Sequence, residues 1–144
     1  MFGARRLVTH CTDTQAGELG LVITDDGTDP VIASAIAQAL REVGAEAVVV
    51  HTEMSKTDSS VVSPAVAAAM LASDVIFMPV QVSLTHTEAT KAACAAGARV
   101  AALTQWVPEM LEGGGIAADF QAIEPRVMRM AAIWDAGSTV RVTS

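Results

Sequence analysis

The residues with chemistry to offer lie where apolar runs give way to polar turns. Asp25 and Asp26 follow the run Leu19 to Thr24, His51 ends a valine run, and Ser83 to Glu88 (SLTHTE) separates an apolar run from an Ala-rich one. Thr85 and Glu88 match the spacing of a helix capping box, which would make His86 the first residue of a helix. There the positive end of the helix dipole would lower the imidazole pKa. The neutral ring could then accept a proton, donate a hydrogen bond or bind a metal. The plainer reading is a solvated histidine at a helix start, where polar residues are common. Asp25, Asp26, His51 and His86 could in principle meet above a sheet as a facial metal set, but their spacing matches no ligand motif, and turns use Asp for their own backbone reasons.

Three familiar designs fail on the sequence. The turn after Thr24 has a single glycine, Gly27, and lacks both GxGxxG and GxxxxGK, so it cannot cradle nucleotide phosphates. A receiver domain would need an aspartate at the end of the third strand, where Met78, Pro79 and Val80 stand. Cys11 and Cys94, the two cysteines, are far apart and fit neither a disulfide framework nor a zinc site. Cys94, Met128 and Met130 read as core filler. Trp106 reads either as the wall of a ligand pocket or subunit contact, or as core.

The elements that would position these residues follow from periodicity. Ala4, Leu7, Val8 and Cys11 make one apolar stripe of a first helix. A strand covers Leu19 to Thr24. Asp29 caps a helix with Pro30 at its first position, Ile32, Ala35, Ile36, Ala39, Leu40 and Val43 on its buried face, and Gly44 as its stop. Ala47 to His51 reads as a parallel strand covered on both faces. A polar loop, TEMSKTDSSVVS, leads to a helix capped by Ser63. Asp74 to Thr104 reads as one strand, helix, strand unit. A short helix opens at Pro108 and stops at Gly113 to Gly115. A last helix starts at Pro125 with Val127, Met130, Ala131 and Trp134 as its stripe, and Thr139 to Thr143 alternate as a fifth strand would.

This alternation predicts a three-layer α/β sandwich on a mostly parallel sheet of four to five strands, Rossmann-like or flavodoxin-like in outline but without a dinucleotide motif. If the strand order is 2-1-3-4, Asp25 and Asp26 would sit beside the loop carrying Ser83 and His86, at the usual ligand crevice. The chain has 144 residues, enough for one domain with its own core. Its net charge of -7 argues against nucleic acid or an anionic membrane as partner. Its high mean hydropathy comes from 27 alanines rather than from any uninterrupted apolar span. No export signal is seen at the start, and the sparse cysteines fit a reducing, cytoplasmic setting.

Three segments together, LTHTEATKAACAAGARVAAL, VPEML and IAADFQAIEPRVMRMAAIWDAGSTVRVTS, give the chain a family likeness. It resembles the N-terminal domain of the leucyl aminopeptidase (aminopeptidase T, M29-type) and 2,5-dihydroxypyridine 5,6-dioxygenase-like proteins, closer to the dioxygenase-like branch in its LTHT turn. The resemblance implies a two-domain enzyme whose Fe(II) or other divalent metal sits in a second domain, so this chain would itself hold no metal. It implies that Leu84, Thr85 and His86 border the active site, with His86 contacting substrate or relaying protons. The substrate would be a small aromatic molecule or a peptide, and the protein a homo-oligomer. The alternative is a stand-alone small-molecule-binding or oligomerisation domain without catalysis.

Overall fold

The computed structural model describes residues 1–58 and 60–143. Ser59, in the expected polar loop, and Ser144, at the end of the VRVTS run, lie outside them. Helix α1 (Phe2–Arg6) continues as a π-turn (Leu7–Cys11) and is followed by β1 (Leu19–Asp25), α2 (Pro30–Glu42), β2 (Glu46–Thr52), α3 (Pro64–Leu71) and β3 (Val75–Met78). Then come α4 (Glu88–Ala95), β4 (Arg99–Ala102), two 3-10 turns (Pro108–Leu111 and Gly114–Ala117) and α5 (Phe120–Ala136). The sheet is four-stranded in the order β2-β1-β3-β4, which the sequence leaves open, and every neighbouring pair is parallel. Among the described residues, no helix is long and apolar enough to cross a membrane.

Alternation along the strands builds the two faces. Leu21, Ile23, Ile76 and Met78 point to the side of α3 and α4, where Val66, Met70, Leu84 and Ala93 complete a core. Val22, Val75 and Phe77 point to the other side, against Ile32, Ile36 and Leu40 of α2 and Ala4, Leu7 and Val8 of the first helix. Asp29 caps α2 by accepting from Val31 N at 2.9 Å, and Ser63 caps α3 by accepting from Val66 N at 3.3 Å. Both helices take proline at the first turn, where its missing N–H costs nothing. Gly44 and Gly97 close α2 and α4 at φ of 83° and 105°, a backbone region that disfavours other residues.

Several expectations are corrected. β2 is an edge strand, paired with β1 alone, so Val48 and Val49 stay 37% and 44% exposed instead of being covered on both faces. The π-turn adds a residue to the last turn of the first helix and leaves Cys11 exposed, outside the stripe of Ala4, Leu7 and Val8. Cys94 faces solvent on α4, where Ala93 takes the buried position. Instead of only stopping a helix, Gly114 and Gly115 begin the second 3-10 turn.

The largest differences are at the end of the chain. α5 starts five residues before Pro125, capped by Asp119, which accepts from Ala122 N at 3.0 Å. None of its described residues is buried: Val127, Met128, Met130 and Trp134 are all more than half exposed, so the two methionines fill no core. Thr139 to Thr143 form no strand, and Val140 and Val142 stand in solvent. Alternation is a local signal, whereas a strand also needs a free edge within reach. α5 is rooted through Arg6, whose guanidinium lies 5.6 Å from the Phe2 ring and 5.3 Å from the Phe120 ring and donates to Ala118 O at 2.7 Å.

Arg99, at the start of β4, donates to Glu18 Oε2 at 2.5 Å and to Asp13 O at 2.9 Å, tying the far side of the sheet to the entry of β1. The backbone N–H of Gln15 and then the Arg99 guanidinium hold the Glu18 carboxyl below its ordinary pKa. A depressed carboxyl pKa contributes stability above the unfolded value, which is lost as pH falls through the folded one. Glu18→Gln is therefore expected to cost about 1 kcal/mol at pH 7, a difference that shrinks below pH ~4; urea denaturation across pH will show it. The Gly3 Cα packs so closely on the first 3-10 turn that an added Cβ would lie 2.6 Å from Leu111 O. Gly3→Ala is expected to lower stability by about 2 kcal/mol in the same assay, through a forced backbone shift.

Candidate functional site

The carboxyl edge of the sheet, where β1 and β3 lie side by side and their chains leave for opposite faces, holds most of the residues picked out by sequence. Asp25 is 2% exposed, and its two oxygens face two loops. Oδ1 accepts from Gly27 N at 3.2 Å and Thr28 Oγ1 at 2.8 Å, while Oδ2 accepts from Gln81 N at 2.9 Å. The carboxylate thus joins the turn after β1 to the loop after β3. Its position is interior, behind the surface of the crevice.

The loop after β3 is shaped by short polar bonds. Ser83 N donates to Asp58 Oδ1 at 3.0 Å, Ser83 Oγ donates to Thr85 Oγ1 at 2.9 Å, and Thr85 N donates back to Ser83 Oγ at 3.2 Å. The cap of α4 is Thr87, which accepts from Thr90 N at 3.2 Å, and not Thr85. The Thr90 hydroxyl donates to Leu84 O at 2.8 Å, which closes a turn behind the loop and buries both Thr87 and Thr90. His86 consequently sits one residue before the cap, exposed, and not in the first turn of the helix. Thr87 was the residue missed, and the signal for it was the second threonine three positions on.

Two adjoining cavities open on the α3 and α4 side of this edge and share Val61 and Val62. One, of about 310 Å³, has Ile23, Val62, Val66 and Leu84 as its apolar lining. The other, of about 440 Å³, is lined by Ala67, Leu71, Ala89 and Ala92 with His86 and Glu88. Both volumes fall in the range of small-molecule sites. Leu84 and His86, two residues apart, therefore face neighbouring halves of one groove. Thr85, tied to Ser83, fixes the turn between them.

Other residues stand apart. His51 Nε2 and Asp26 Oδ1 are 2.6 Å apart at the ends of β2 and β1, with both side chains more than half exposed. His86 does not join them. Among the described residues, no three His, Cys, Asp or Glu side chains converge as metal ligands, so these residues do not form the facial set considered from sequence. Trp106 is half-buried against the α2-side core and lines a separate shallow hollow with Glu109, Met110 and Gly113 to Gly115. That lining shares no residue with the groove of Leu84 and His86.

Removing the Asp25 carboxylate would leave Gly27 N, Thr28 Oγ1 and Gln81 N without their acceptor. Asp25→Ala is therefore expected to cost about 3 kcal/mol in urea denaturation.

No family model matches the chain, and no curated protein matches its sequence. Among solved structures, its fold is similar to that of 2,5-dihydroxypyridine dioxygenase from Pseudomonas putida KT2440, with a TM-score of 0.61 at 15% sequence identity. The match covers 76% of this chain and 35% of that one, so this chain corresponds to about a third of the length of that enzyme. At this level of identity the likeness establishes an α/β fold in common.

Proposed function

We propose that the chain is a cleft-forming α/β domain of a metal-dependent enzyme of the 2,5-dihydroxypyridine dioxygenase kind, acting on a small aromatic molecule. The observation that carries this reading is the groove at the carboxyl edge, framed by Leu84 and His86. In this reading Leu84 supplies an apolar wall, Thr85 holds the turn, and His86 offers a ring nitrogen to the substrate as a hydrogen-bond partner or proton relay. Asp25 keeps the two loops in register. Fe(II) or another divalent ion belongs to residues of a second domain, and no step of the chemistry is assigned to it on this chain. A cytoplasmic setting fits the free thiols of Cys11 and Cys94. The aminopeptidase branch rests on the sequence motifs alone.

A second reading, a stand-alone binding or oligomerisation domain, is favoured by one observation: α5 leaves Val127, Met130, Ile133 and Trp134 more than half exposed. In that reading the helix is an assembly surface, and Trp106 belongs to a second contact.

Titration with 2,5-dihydroxypyridine, followed by methyl NMR, tests the first reading. Shifts are expected at Leu84, Val62 and Val66, and Leu84→Ala and His86→Ala should each weaken binding about threefold to tenfold. Anaerobic loading with Fe(II) or Zn(II) should leave far less than one equivalent bound. Stoichiometric metal lost in His86→Ala would show that this chain has its own metal centre and would overturn the assignment.

A further inference from the structure

The groove has a charge as well as a shape. Its smaller half has an apolar floor of Ile23, Val62, Val66 and Leu84, and Thr52, Ser55 and Ser63 bring hydroxyls to its wall. The charged side chains lining the two halves are Glu53 and Glu88, and no Lys or Arg lines either. Glu88 is bonded to Lys91 Nζ at 2.7 Å, so its charge is already met. Glu53 has no ion-pair partner among the described residues, and Lys56, on the same loop, lines neither cavity.

The start of α3, beside the smaller cavity, would favour an anion, and it is largely used up. Ser63 Oγ takes the N–H of Val66, and Pro64 has no N–H to give. A full carboxylate charge beside an apolar floor outweighs what remains of the helix dipole. The net charge of -7 adds long-range repulsion of anions at low salt.

From this we infer that the smaller cavity selects a primary amine carried on a single ring or a branched aliphatic body, with the ammonium group at Glu53 and the apolar body against Val66 and Leu84. The inference rests on the groove being a small-molecule site and adds the charge of its ligand. An aromatic acid of the same size would meet an uncompensated carboxylate, whereas an amine gains an ion pair and keeps the apolar contact. Because Glu53 is exposed, the gain is modest and screened by salt.

Three compounds of one shape separate the terms: 2-phenylethylamine, 2-phenylethanol and phenylacetate, each titrated into the full chain at low salt and followed by the methyl signals of Val62, Val66 and Leu84. The amine is expected to bind about fivefold more tightly than the alcohol, and the acid about fivefold more weakly. Glu53→Gln should bring the three together, and Glu53→Lys should reverse the order. Binding without an order by charge, or tighter binding of the acid to wild type, would overturn the inference while leaving the site in place. No shift with any of the three would overturn the site itself and this inference with it.

Discussion

A single buried carboxylate holds the working edge of this domain together. Asp25 stands at the end of the central strand pair, and its three acceptor bonds reach the turn that leads into α2 and the loop that leads into α4. Those two segments leave the sheet on opposite faces, so nothing in the local chain would keep them in register. Burying a carboxylate is costly unless its lone pairs are met, and here they are met by donors that would otherwise be orphaned. The shape of the groove follows from this. If the loop after β3 shifts, Leu84 and His86 shift with it.

Much of the architecture was legible because local and global signals agree. The caps at Asp29 and Ser63, the prolines that follow them and the glycines that end α2 and α4 all follow from residues near one another in the sequence, whereas the order of the four strands is left open. What could not be read depends on distant partners. The exposure of Val48 and Val49 follows from β2 having a neighbour on one side only. The expected fifth strand does not form, and Val140 and Val142 stay exposed although β2 and β4 each have a free edge: alternation alone does not bring a segment to one.

The candidate site shows the same division. Its place at the carboxyl edge, and the presence there of Leu84 and His86, came from the position of the polar break between β3 and α4. The role of Asp25 was hidden, because its key donor, Gln81, lies 56 residues away. The sequence points to Thr85 as the cap of α4, whereas Thr87 is the cap, with a bond from the Thr90 hydroxyl to Leu84 O behind it. Trp106 fell into a different hollow because the turns after β4 carry it toward the α2 side. The groove, its charge and the solitary His51–Asp26 pair are arrangements of side chains from several elements, which no one stretch of sequence displays.

The root of α5 links the two ends of the chain. Arg6, between Phe2 and Phe120 and bonded to Ala118 O, is shared by the first helix and the last. The last helix buries none of its described residues, and a helix of 17 residues has little stability of its own in water. The attachment of the last helix is therefore shared with the first turn of the chain. A polypeptide fused ahead of Met1 would lie next to Phe2 and so close to that attachment.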